Sequence, residues 1–170
     1  MSYPSLIERG NFENYIGFYL KLQNSYVETA KKERMETDEW KSFFLHYFNL
    51  LLGESILITL SELLEKGKIE FGNEKEFVDR ALFRFFFDIP KETTGGISNI
   101  KALLDLFIRE RNRCAKFPRP TDFRLSPHFV YDLINLLEDY VEGWKGKFFY
   151  LLIDEYDKMD EDQQRVIIHI

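Results

Sequence analysis

The chain has one cysteine, no apolar run long enough to cross a bilayer, and fewer basic than acidic side chains. A lone Cys114 excludes an intramolecular disulfide framework and suits a reducing compartment. The residue itself reads as a small hydrophobe or an inert surface thiol rather than a nucleophile. A membrane span needs about 18 or more consecutive apolar residues, and none occurs; Met1–Arg9 also lacks the apolar core of a signal peptide. No membrane attachment and a cytoplasmic location are therefore expected. With 23 basic side chains against 29 acidic ones, the net charge is −6. That balance argues against wholesale binding to nucleic acid and confines any polyanion contact to a local patch. The three histidines, His46, His128 and His169, are too scattered in sequence for metal-ligand spacing.

What is present is material for a packed interior. Hydrophobic residues make up 45% of the chain, including 17 Phe and 9 Tyr, in a length that suits one domain and is short for two. Residues 2–10 read as the tail of a helix stopped by Gly10. Residues 15–23 are aromatic, apolar and short, which favours a buried strand. From Asp38 to Lys66 apolar residues recur every three or four positions, a long helix with Gly53 as a candidate break and Gly67 as its stop. Asn73 with Glu76 opens a second helix that Pro90 closes, and Ser98 opens a third carrying Leu103, Leu104, Phe107 and Ile108 as a stripe. Residues 114–125, with Pro118 and Pro120, read as a loop. Ser126-Pro127 then restarts a helix to about Glu142, because proline at the first helical position lacks only a donor that would be unpaired anyway. After the Gly143–Gly146 turn comes a second strand at about 147–154, and Asp160 with Gln163 opens a helix over 160–170. A strand, a mostly helical crossover and a second strand give an α/β fold with a helical excess.

The second strand carries the chemistry. Residues 148–153 are six consecutive apolar side chains, the pattern of a strand buried on both faces at the centre of a parallel sheet. Ending such a strand in Asp154 and Glu155 is costly unless the carboxylates meet water, a cation or donors. The carboxyl ends of parallel strands are where α/β sheets place ligands. There Asp154 can hold Mg²⁺ while Glu155, pointing the opposite way along the pleat, polarises an attacking water. The plainer reading is a strand that ends in a solvated acidic turn, since Asp157, Asp160, Glu161 and Asp162 follow.

The run Leu151-Leu152-Ile153-Asp154-Glu155-Tyr156-Asp157-Lys158, followed by a helix bearing Gln163 and Gln164, resembles the Walker B region of AAA-like P-loop ATPases of the bacterial ORC/Cdc6-related and STAND-like groups. The segment from Tyr15 to Leu22 is similar to the second strand of such ATPases, and the helical insertion at about 38–142 also fits. The resemblance implies that the two strands are direct parallel neighbours, that ATP and Mg²⁺ are the cofactors, that Asp154 is the metal ligand and that Glu155 is catalytic. The chain departs from the pattern in having no GxxxxGK[ST] loop: Gly67-Lys68 precedes Ile69 and Gly146-Lys147 precedes Phe148. Such a loop supplies the backbone donors and the lysine that hold the β- and γ-phosphates. The expectation is thus one partial ATPase domain over residues 1–170, an internal fragment with Walker B but without Walker A, inactive alone. The missing remainder of the domain, or a protein partner, would complete it, and assembly into a homo-oligomer is compatible with it. The rival reading is a non-enzymatic helical interaction module.

Arg109, Arg111, Arg113, Lys116, Arg119 and Arg124 form a basic cluster around the proline-rich loop. It offers a phosphate or nucleic-acid contact on one reading and a solvated helix end on the other, its charges complementing the helix dipole. Trp40, Phe43, Phe44, Tyr47 and Phe48, and likewise Phe83 and Phe85–Phe87, read as core at helical spacing, or as a partner-binding face if exposed.

Overall fold

The computed structural model describes residues 15–22, 37–86, 94–116 and 125–167. Helix tail 2–10, Phe87, Pro90, Pro118, Arg119, Pro120, Arg124 and His169 lie outside these residues. In chain order the elements are strand β1 (Tyr15–Lys21), helices α1 (Thr37–Glu65), α2 (Glu74–Phe85), α3 (Ile100–Lys116) and α4 (Phe129–Glu138), strand β2 (Phe148–Asp154), a 3₁₀ turn (Tyr156–Lys158) and helix α5 (Glu161–Ile167). Two parallel strands with a helical excess make the fold the expected α/β type.

Helix α1 is the spine. Apolar residues surround it, and 17 of its 29 residues are buried, so it is a core helix rather than a one-faced surface helix. By length and composition it could cross a membrane, yet 83% of its most apolar stretch is buried inside the fold. It runs unbroken through Gly53. A Cβ there would stand 2.3 Å from Cε1 of Phe107, so the glycine serves close approach to α3, not a break. The helix stops at Gly67 in the left-handed region (φ 62°), where the Lys68 and Gly67 amides donate to the carbonyls of Leu63 and Leu64, a Schellman-like ending.

Two apolar clusters share this spine. The carboxyl-terminal half of α1 packs with α2, α3, α4, Ile16, Phe18 and Trp144; the amino-terminal half, from Trp40 to Leu52, packs with Leu20, Leu22, Cys114 and Met159. The aromatic stripe of α1 is therefore core, as are Phe85 and Phe86, whereas Phe83 is exposed. Cys114 is buried.

Side-chain caps set several boundaries. Asn73 Oδ1 accepts from the Glu76 amide at 3.1 Å and opens α2 as expected. Helix α3 opens at Ile100 rather than Ser98, because Asn99 Oδ1 accepts from the Ala102 amide at 2.9 Å and Glu74 Oε1 from the Ile100 amide at 2.7 Å. Helix α4 begins at Phe129, not at Pro127, since Ser126–Phe129 closes as a turn (3.0 Å). Two side chains of α1 hold that turn: His46 Nδ1 accepts from the Leu125 amide and Asn49 Nδ2 donates to the Ser126 carbonyl. The helix ends at Glu138, short of Glu142, because the chain is drawn into an antiparallel bridge between Val141 and Phe71. Asp160 and Gln163 form both bonds of a capping box, at 2.8 and 3.1 Å, and open α5.

Candidate functional site

Strands β1 and β2 pair in parallel along their whole length, from Tyr15 opposite Phe148 to Lys21 opposite Asp154. Alternation then sorts the side chains. Ile16, Phe18 and Leu20 are buried, with Phe149, Leu151 and Ile153 partly covered beside them. Tyr15, Phe148, Tyr150 and Leu152 remain exposed on the opposite face. The six apolar residues of β2 are therefore not buried on both faces. Phe148 is 63% exposed, because the described helices and Trp144 pack on the other face, and the exposed apolar column leads directly up to Asp154.

Asp154 ends β2 on that exposed face, opposite Lys21 and diagonal to Tyr19. Its Oδ2 accepts a short hydrogen bond from the Tyr19 hydroxyl, and its Oδ1 accepts from the Glu155 amide at 2.9 Å. Ser55 of α1 donates to the Tyr19 carbonyl at 2.7 Å, so the residue that orients the carboxylate is itself tied to the spine. The Leu22 amide donates to the Asp154 carbonyl at 3.2 Å and extends the ladder to the end of the strand.

Strand alternation predicts that Glu155 continues the pleat, but the strand ends at Asp154 and Glu155 leaves it. It adopts φ 61° and ψ 33°, the one positive-φ residue other than glycine among the described residues. A side chain there costs about 1–2 kcal/mol, and residues held in such regions cluster at functional sites. The turn swings its carboxylate toward Lys21, 3.3 Å away, and toward Lys158, whose ammonium also pairs with it. Asp154 thus faces a phenol and an amide, while Glu155 faces two ammonium groups. Adjacent carboxylates acquire different surroundings through one backbone torsion.

Among the described residues no cluster of three or more His, Cys, Asp or Glu side chains surrounds a point in the manner of a metal cage. Mg²⁺ does not require one, since it keeps several waters and is held by one or two carboxylates together with substrate phosphates. An exposed Asp154 with one lone pair still open on each oxygen fits that mode. Tyr19, Lys21 and Lys158 are the site residues that sequence reasoning missed. Period-two alternation put residues 19 and 21 on one face, but only the strand register brings that face to Asp154.

Among the described residues, the members of the basic cluster do not share one surface. Arg111 turns inward to Glu54 of α1, Nε to Oε1 at 2.5 Å with both side chains nearly buried. Burial raises the Glu54 carboxyl above its ordinary range, an effect that the hydrogen bond and charge of Arg111 oppose. Arg113 pairs with Glu110 at 2.7 Å, and Arg109 and Lys116 are exposed.

No curated protein and no solved structure matches the chain. The family model described as ORC-CDC6-like matches residues 5–170, a span that contains every described strand and helix and the acid pair. This chain belongs to the ORC-CDC6-like family and is thereby related to the AAA-like ATPases.

Proposed function

We propose that the chain supplies the carboxylate edge of an ATPase site, a Walker B element. Asp154 would hold the Mg²⁺ of a bound MgATP, and Glu155 would accept a proton from the water that attacks the γ-phosphate as the bond to ADP breaks. When bound, Mg²⁺ neutralises charge on the phosphate oxygens. Tyr19 keeps the Asp154 carboxylate in one orientation, and Lys21 and Lys158 hold Glu155 away from the line of the strand. The observation that carries this reading is the separation of the two acids: one at the carboxyl end of a parallel strand, the other turned off it by a left-handed residue.

The sequence has no GxxxxGK[ST] loop, so these 170 residues lack the lysine and the amide cradle for the β- and γ-phosphates. The proposal therefore assigns the chain chemistry at the metal and water, with phosphate binding supplied from elsewhere. Titration calorimetry with MgATP tests this. No heat of low-micromolar binding is expected from the 170-residue chain, and such binding would overturn the division of roles.

A further inference from the structure

Helices α2 and α4 lie side by side, and a groove of about 900 Å³ runs between them, bounded by Arg80, Phe83 and Arg84 on one wall and Asn135, Leu136 and Asp139 on the other. It shares no residue with the acid edge. Phe83 is 81% exposed, more than any other large hydrophobic side chain among the described residues, and Tyr131 is 68% exposed one helical turn before Asn135. Leu136 is almost fully buried and forms the floor.

The cations of this groove are already committed. The Arg80 guanidinium lies 5.6 Å from the centroid of the Tyr140 ring and pairs with Glu76 at 3.1 Å. Arg84 pairs with Asp132 at 2.7 Å and so ties α2 to α4. Asp139 has no ion-pair partner among the described residues. An anionic ligand would thus find its charges already neutralised, whereas a cation meets the open carboxylate of Asp139 in a groove that also carries the exposed Phe83 ring. A second copy of the chain would bring the same acidic rim and the same net charge of −6.

We propose that the α2–α4 groove docks a basic amphipathic helix of a protein partner. An apolar side chain of that helix seats between Phe83 and Leu136, and a lysine or arginine of the next turn reaches Asp139. The walls, of 12 and 10 residues, span about 15–18 Å, the length of a three-turn helix. An exposed phenylalanine and two paired arginines around a buried leucine have the composition of an interface hot spot, and a helix laid in a groove is a recurrent recognition mode.

The test uses the whole chain with a fluorescein-labelled amphipathic peptide of leucine and lysine, about 14 residues long, and its leucine–glutamate counterpart. Anisotropy measures affinity, and ¹⁵N amide shifts map the site. The lysine peptide is expected to bind at least about tenfold more tightly than the glutamate peptide, with shifts on 76–84 and 131–139. Phe83→Ser should weaken it about tenfold or more, and Asp139→Asn about threefold with a shallower salt dependence. Both positions are surface ones, so circular dichroism should match the parent. Equal binding of the two peptides, indifference to Phe83→Ser, or shifts centred on Tyr15, Phe148 and Tyr150 would each overturn the proposal. So would self-association in sedimentation velocity that Phe83→Ser abolishes, since the groove would then serve a second copy.

Discussion

Replacing the buried pair of Glu54 and Arg111 singly and together separates its net worth from the cost of breaking it. Glu54 is only 7% exposed, and the pair joins the middle of α1 to α3 at 2.5 Å. Glu54→Leu takes away the carboxylate that Arg111 meets in the interior, and Arg111→Leu takes away the guanidinium that Glu54 meets. Each should destabilise the fold by about 3–5 kcal/mol. The double replacement removes both desolvation costs and should lie far closer to the parent, or above it by about 1–4 kcal/mol. Urea unfolding read by tryptophan fluorescence is a suitable assay, because Trp40 and Trp144 are both buried and sit in different apolar clusters. The pH dependence carries its own sign. A raised carboxyl holds its proton in the folded state to higher pH than the ordinary 4.5 of the unfolded chain. The folded state then binds more protons, so the contribution of Glu54 to stability falls as pH climbs from about 4.5 through the raised value and is flat above it. The parent curve minus that of Glu54→Gln should show this fall. Single replacements within about 0.5 kcal/mol of the parent, or a double whose loss equals the sum of the singles, would refute the reasoning.

Gly53→Ala places a methyl group against the Phe107 ring and should cost about 1–3 kcal/mol by urea unfolding; pairing it with Phe107→Leu should recover part of the loss, and unchanged stability in the single variant would contradict the close approach. Asn73→Ala removes the acceptor for the Glu76 amide and should cost about 1 kcal/mol, with amide exchange fastest in the first turn of α2.

The helices were legible where the sequence states their period and their caps together. Gly67, Asn73 and the Asp160–Gln163 pair each act locally, so their bonds form as their types and spacing imply. The limits of α4 were not legible, because His46, Asn49 and Phe71 set them from distant parts of the chain. Gly53 looked like a break because its neighbour Phe107 stands on another helix. At the acid edge, the residue types and their order were readable, but not the torsion at Glu155 or the partners Tyr19 and Lys21, which depend on strand register. Of the basic cluster, Arg109, Arg113 and Lys116 lie exposed as a solvated helix end does, but charge in sequence does not reveal that Arg111 turns inward to Glu54. The α2–α4 groove was equally hidden, since nothing local distinguishes the exposed Phe83 from the buried Phe85.

The most direct measurement of the central claim is ATP turnover by Glu155→Gln in a polypeptide that joins these residues to a GxxxxGK[ST] loop. The proposed roles predict nucleotide affinity close to that of the parent and a turnover rate lower by about 100-fold or more, since the cation ligand remains and the base is lost. Hydrolysis at the parental rate, or lost binding with unchanged turnover per bound ATP, would contradict them.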